Sequence, residues 1–86
     1  MIARFHKGFE RQYKKLRKGE QEKVRKQIAL FQRDEFDLVL NNHPLHGKYK
    51  GYRSINITGD LRAIYRYLNS RHCLFTNLDT HSNLYK

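Results

Sequence analysis

Two runs of alternating character, Tyr52–Ile57 and Leu61–Leu68, flank the tripeptide Thr58-Gly59-Asp60 and constrain the fold more than any other stretch. Successive side chains of a strand point to opposite faces, so a period of two marks a half-buried strand. A short gap holding Gly and Asp between two such runs marks a hairpin. Ile55 and Ile57 share one face of the first run, with Ser54 and Asn56 on the other. In the second run Leu61, Ala63, Tyr65 and Tyr67 oppose Arg62, Ile64 and Arg66. Asn69-Ser70-Arg71 makes a second turn, and His72–Asp79 supplies a third strand through Leu74, Phe75 and Leu78. The middle of the chain and its C-terminal part are therefore a β-meander.

Upstream, Ile2–Phe5 reads as a short edge strand. Phe9, Tyr13 and Leu16 recur at i, i+4 and i+7, the apolar stripe of an amphipathic helix. Gly19, behind the basic residues Lys14, Lys15, Arg17 and Lys18, is expected to cap the C-terminus of that helix. Glu20 and Glu22 then open a second helix whose stripe is Val24, Ile28 and Phe31. Residues 32–46 read as a connection with a helical turn at Phe36–Leu40, and Pro44 denies His43 the α conformation. Gly47 and Gly51 bracket a loop, Lys48-Tyr49-Lys50, whose backbone can approach a partner closely. The tail from Thr80 to Lys86 is polar with one apolar anchor.

The expected architecture is α+β, one domain over residues 1–86, with an N-terminal helical hairpin packed on one face of a small antiparallel β-sheet. Nothing in the sequence is left over to cover the other face. It would carry Ser54, Asn56, Arg62 and Arg66, which suits a groove better than a structural surface.

Charge indicates what such a groove would hold. Eighteen Lys and Arg against eight Asp and Glu give a formal charge of +10. A field of that sign concentrates phosphates and acidic proteins at the surface and raises their on-rates. The aromatic share of 13% and hydrophobic share of 38% argue against disorder and allow one layer of helix on one sheet. A single cysteine, Cys73, rules out an internal disulfide, and no Cys/His spacing resembles a zinc site. No stretch reaches the roughly 18 apolar residues that read as a bilayer span, and the N-terminus has no apolar signal-peptide core. A cytoplasmic location is the expectation.

No phosphate-binding glycine loop, carboxylate pair or Ser-His-Asp order is present. RNA can nonetheless be cut without any of these, because its 2′-OH is an internal nucleophile. Such a reaction needs a base at the 2′-OH, cations at the phosphorane and an acid for the 5′-oxygen. The supply of suitable side chains is His43, His46 and His81, then Arg53, Arg62 and Arg66, then Lys48, Lys50 and Tyr85. A plain RNA-binding domain would contain the same residue types. His6 and His72 read as structural or solvent-facing, Tyr65 and Tyr67 as core, and Cys73 as a small buried hydrophobe.

The pattern HPLHGKYKGYRSINI, GDLRAIYRY and FTNLDTHSNLY, covering roughly residues 41–86, resembles the RelE/ParE toxin superfamily and within it the YafQ-like mRNA interferases. The resemblance implies the toxin of a type II toxin–antitoxin pair, a metal-independent and ribosome-dependent mRNA endoribonuclease that inhibits translation. It implies no cofactor, and as partners a cognate antitoxin, mRNA and the ribosome, with no membrane. Carried over residue by residue, it implies catalytic roles for His81, Asp60, His43 and Tyr85, with Arg62 at the scissile phosphate. Lys48, Lys50, Arg53, Asn56 and Arg66 would bind RNA. Two positions depart from the YafQ-like pattern: Asn56 stands where it has a histidine, and Leu61 where it has a tryptophan. Asparagine cannot exchange protons near neutral pH, so proton transfer would fall more heavily on His81. The same fold also carries ParE-like gyrase inhibitors, and that activity and a non-catalytic RNA-binding module are the rival readings.

Overall fold

A computed structural model describes residues 1–84. In chain order the elements are β1 (Ile2–Phe5), α1 (Lys7–Lys15), α2 (Lys18–Arg33), β2 (His43–Pro44), β3 (Arg53–Asn56), β4 (Leu61–Tyr67), β5 (His72–Thr80) and α3 (His81–Leu84). Short 3-10 turns at Leu38–Leu40 and Gly47–Tyr49 precede and follow β2.

The strands form one sheet in the order β1-β5-β4-β3-β2. The expected meander is its centre: β3 and β4 are antiparallel with Asn56 opposite Arg62, and β4 and β5 are antiparallel with Arg62 opposite Asp79. A register break between Ile64 and Tyr65 bends the β4–β5 ladder. The sheet is mixed rather than wholly antiparallel, because β1 lies parallel to β5, with Ile2 opposite His72. The helices carry the chain from β1 across to the opposite edge, and β5 returns alongside β1 in the same direction. At that edge the Ala3 N–H donates to Oε1 of Gln32 at 3.0 Å, and the Met1 ammonium donates to the Gln32 carbonyl at 3.2 Å.

Helix α1 begins at His6, whose Nδ1 accepts the Gly8 N–H at 3.0 Å. It ends at Leu16, which is extended, with φ −73° and ψ 153°. The expectation for Gly19 is corrected here: it lies inside the first turn of α2 and caps nothing. Extended Leu16 and Arg17 already break the chain, and Glu20 Oε1 accepts the Arg17 N–H at 3.3 Å to start the second helix.

One face of the sheet meets the helices. Ile55, Ile57, Leu61, Ala63, Tyr65, Cys73, Phe75 and Leu78 pack there with Phe9, Val24, Ile28, Phe31 and Leu40. The Phe31 ring stands edge-on to Tyr65, with centroids 4.9 Å apart, and to Phe75 at 5.2 Å. Losing a buried ring of this kind costs about 3–5 kcal/mol in comparable cores. Gln27, buried among them, donates from Nε2 to the Asn56 carbonyl at 3.2 Å and so pins α2 to β3.

The opposite face is not bare, which corrects the second expectation. Ile64 is fully buried there under Leu45 and Leu84, with Tyr49 and Tyr52 packed around them. An isoleucine on the arginine face needs a cover. The 45–52 loop and the apolar anchor of the tail supply it, so the polar part of this face is confined to its margins.

Candidate functional site

Partners across paired strands share a face, so register fixes which side chains can meet. His43 lies opposite Ser54 and Ser54 opposite Ile64; one step along, Asn56, Arg62 and Asp79 form a row. These residues, with Arg66 opposite Leu74, occupy the face away from the main core.

Arg62 is tied to the hairpin turn. Its Nη1 donates to the carbonyls of Thr58 at 2.9 Å and Leu61 at 3.2 Å, and its Nη2 to that of Gly59 at 3.1 Å. The Thr58 hydroxyl oxygen accepts the N–H groups of Asp60 at 3.3 Å and Leu61 at 3.0 Å, which tightens the same turn. His81 starts α3 beside it, donating its backbone N–H to the Asp60 carbonyl at 2.9 Å. The Asp79 carboxylate accepts the Thr80 N–H at 2.8 Å and Asn83 Nδ2 at 3.1 Å, so it orders the tail. Arg62, Asp60 and His81 are thus gathered at one turn, with Asn56 in the row beside them.

His43 approaches from the other side, on the β2 edge. Its Nδ1 lies 2.7 Å from the Asn41 carbonyl oxygen. Neighbouring Asn42 is clamped: Nδ2 donates to the Glu35 carbonyl and to Tyr65 Oη, both at 2.8 Å, while Oδ1 accepts Arg53 Nε at 2.9 Å. Arg53 therefore projects on the helix side of the sheet, opposite Tyr65, with its guanidinium 5.5 Å from the Phe36 ring centre. The geometry separates it from Asn56 and Arg62, and the alternation that groups it with Ile55 and Ile57 was visible in the sequence. Tyr67, expected in the core, is 40% exposed and donates its hydroxyl to Glu35 Oε2 at 2.8 Å.

Lys48, Lys50, His46 and Arg66 are exposed, and Lys48 Nζ lies 5.3 Å from the Tyr49 ring centre. Gly47 and Gly51 have φ of 63° and 91°, values that a side chain would resist, which explains both glycines. Tyr85 lies outside the described residues.

Sequence reasoning missed Asn42, Thr58, Glu35 and the joint role of Tyr65 and Tyr67. Asparagine and threonine at turns are common enough to carry no signal alone. Two polar atoms on the candidate face, Ser54 Oγ and Asn56 Oδ1, are buried without a hydrogen-bond partner among the described residues. Burial raises the pKa of the Tyr65 phenol, and also that of Tyr67, helped by Tyr65 and Glu35. It pushes the Cys73 thiol up to about 12, with Glu35 adding to the rise. Among the described residues no three His, Cys, Asp or Glu side chains converge as a metal-ligand set.

A separate cleft of about 780 Å³ opens between β1, α1 and α2. Phe5, Phe9, Tyr13, Val24 and Ile28 line it, and Arg4, Lys14 and Arg25 also border it. Its lining is mostly apolar, with Glu10 beside these cations, and it lies on the helix side of the sheet. No helix among the described residues is long and apolar enough to cross a membrane.

Comparison with known proteins bears on the fold and the family. The fold is similar to that of YafQ from E. coli strain BL21(DE3), at TM-score 0.80 and 23% identity, covering 98% of this chain and 97% of that one. It is similar to a YoeB/ParE toxin from Agrobacterium tumefaciens, at TM-score 0.76 and 22% identity over 94% and 99% of the two chains. It is also similar to a chain of the E. coli DinJ-YafQ toxin-antitoxin complex, at TM-score 0.77 and 24% identity over 98% and 96%. A search of curated protein sequences gives no match. The family model described as the bacterial toxin of type II toxin-antitoxin systems, YafQ, matches residues 1–86, and the chain belongs to that family of toxins.

Proposed function

We propose that this toxin is a ribosome-dependent mRNA endoribonuclease that cleaves by attack of a ribose 2′-OH on the adjacent phosphorus. A bond forms between the 2′-oxygen and phosphorus while the bond to the 5′-oxygen breaks. One imidazole takes the 2′-OH proton and another, protonated, supplies one to the leaving oxygen. The products are a 2′,3′-cyclic phosphate and a 5′-hydroxyl. Every atom of the step comes from the RNA and from proton exchange with the protein, so the chemistry calls for no cofactor.

The observation that supports this reading is that the backbone brings two histidines to opposite sides of the Asn56–Arg62 row. His43 enters from the β2 edge and His81 from the end of β5. Attacking and leaving oxygens lie on opposite sides of an in-line phosphorane, so base and acid are needed from opposite sides. Arg62, anchored on the turn carbonyls, would hold the phosphate between them, with Asn56 in the row beside it. Asp60 would support His81 through their shared backbone hydrogen bond, and Tyr85 would complete the tail. Lys48, Lys50 and Arg66 would bind the RNA backbone. Arg53 would act through Asn42 rather than by touching RNA.

Solved complexes named DinJ-YafQ and YoeB-YefM pair related toxins with other proteins, the former titled a toxin-antitoxin complex. A cognate antitoxin is proposed for this chain as well, with the apolar, arginine-bordered cleft suited to an acidic amphipathic segment.

The test is primer extension on an mRNA with and without active translation, using the wild type, His81→Ala and Arg62→Ala. Positioned acid–base groups and charge stabilisation are each worth about 10²–10⁴-fold and 10²–10³-fold, so both variants should lose cleavage on that scale. Undiminished cleavage by His81→Ala would overturn the assignment. Trapped gyrase complexes without RNA cleavage would replace it with the ParE-like activity.

A further inference from the structure

We propose that the backbone carbonyl of Asn41 is a positioning group that holds His43 in the tautomer whose Nε2 is unprotonated, making His43 the general base. The inference rests on the nuclease reading for the word base, but its structural half stands independently.

A carbonyl accepts hydrogen bonds and cannot donate, so a ring nitrogen 2.7 Å from the Asn41 oxygen must carry the hydrogen. In a neutral imidazole only one nitrogen is protonated. With Nδ1–H committed to Asn41, the lone pair is on Nε2. A histidine without such a partner divides between tautomers, and only the fraction with the lone pair correctly placed can accept a proton from a bound hydroxyl.

The carbonyl is aimed by the turn before it. Asp37 Oδ1 accepts the Val39 N–H at 2.9 Å and starts the Leu38–Leu40 turn, and Leu40 is fully buried and anchors it. Asn41 ends the turn in the left-handed conformation, φ 47° and ψ 48°, its N–H donating to the Leu38 carbonyl at 3.2 Å. It is the one non-glycine residue with positive φ among the described residues. Asparagine and glycine enter that region readily and β-branched residues do not.

The other side of His43 is equally fixed. Asn42 is held by Glu35, Tyr65 and Arg53, Pro44 locks its own φ, and His43 pairs with Ser54 across the strands. The ring is therefore held at its Nδ1 side and presents Nε2 on the face that carries Ser54 and Asn56. This gives a physical role to the exposed turn at Leu38–Val39, whose side chains contribute little to the core.

The experiment uses the purified full chain, with ¹⁵N-detected histidine spectra recorded where His43 is neutral, for wild type, Asn41→Gly and Asn41→Val. The wild type is expected to show a single His43 tautomer with Nδ1 protonated, and Asn41→Gly the same, since glycine keeps the left-handed backbone. Asn41→Val should show mixed tautomers and roughly ten- to hundred-fold slower cleavage of translated mRNA, while Asn41→Gly stays within about threefold of wild type. A wild-type His43 protonated at Nε2 overturns the proposal, even should Asn41→Val fail to fold. So does Asn41→Val with mixed tautomers and undiminished cleavage. A protonated Nδ1 in a wild type that cuts no RNA would uphold the positioning by Asn41 and refute the nuclease reading instead.

Discussion

Replacing Asn42 with alanine should damage this protein far more than removing the tyrosine hydroxyl that Asn42 binds, although both changes break the same contact. In Tyr65→Phe the amide of Asn42 keeps a partner at each end, because Oδ1 still accepts Arg53 Nε and Nδ2 still donates to the Glu35 carbonyl. Only the net value of an ordinary hydrogen bond is lost, about 1 kcal/mol. Asn42→Ala takes a partner from three groups at once: Arg53 Nε, the Glu35 carbonyl and the buried Tyr65 hydroxyl, which keeps only a 3.5 Å contact with Tyr67 Oη. An unpaired buried hydroxyl costs about 1–3 kcal/mol. The other two lie at half-buried residues where water recovers part of the loss, so the sum should be about 2–4 kcal/mol. For a domain of this size that corresponds to a fall in Tm of roughly 10–25 °C, against about 5 °C for Tyr65→Phe. Urea titration gives the free energies, and the double variant gives the coupling. A penalty for Asn42→Ala no larger than that for Tyr65→Phe would refute the reasoning. It would mean that Asn42 is not the junction holding the segment before His43.

Four further outcomes are expected. Gly19→Ala should raise stability by about 0.5–1 kcal/mol in urea, because Gly19 lies within α2 and a methyl there meets nothing within 4 Å. Ser54→Ala should be neutral or stabilising by about 1 kcal/mol, since it removes a buried hydroxyl without a partner among the described residues; a clear loss would show that the hydroxyl is bonded. The raised Tyr65 phenol makes stability fall as pH rises above about 10, at up to about 1.4 kcal/mol per pH unit, while contributing no slope below that. Alkaline melts of wild type and Tyr65→Phe test this, and the variant should lose that share of the slope. Cys73, fully buried with its thiol pushed up to about 12, should resist iodoacetamide at pH 8 unless the protein is unfolded.

Local periodicity made much of this fold legible before any coordinates. The stripe Val24, Ile28, Phe31 marks the buried side of α2, and the alternation of Ile55, Ile57, Ala63 and Tyr65 marks the core face of the hairpin. Long-range partnership was not legible. Nothing within Ile2–Phe5 says that it pairs parallel with β5, and a two-residue strand at His43–Pro44 has no period. For the candidate site, residue type nominated Arg53 for phosphate binding, but parity places it on the helix side, where it serves Asn42. The cover over Ile64 was hidden because Leu45 and Leu84 come from segments with no pattern of their own.

The two rims of the sheet are blunted in different ways, and that bears on how anything can attach to it. A further strand could not propagate along β2, which is two residues long and ends in a proline with no N–H to offer. On the other rim, the amide of Gln32 already occupies the Ala3 N–H. A polypeptide that extends this sheet must first displace Gln32, whose side chain holds the Ala3 N–H and whose carbonyl holds the Met1 ammonium, so two reversible hydrogen bonds from one residue stand guard between a lone molecule and strand-to-strand assembly.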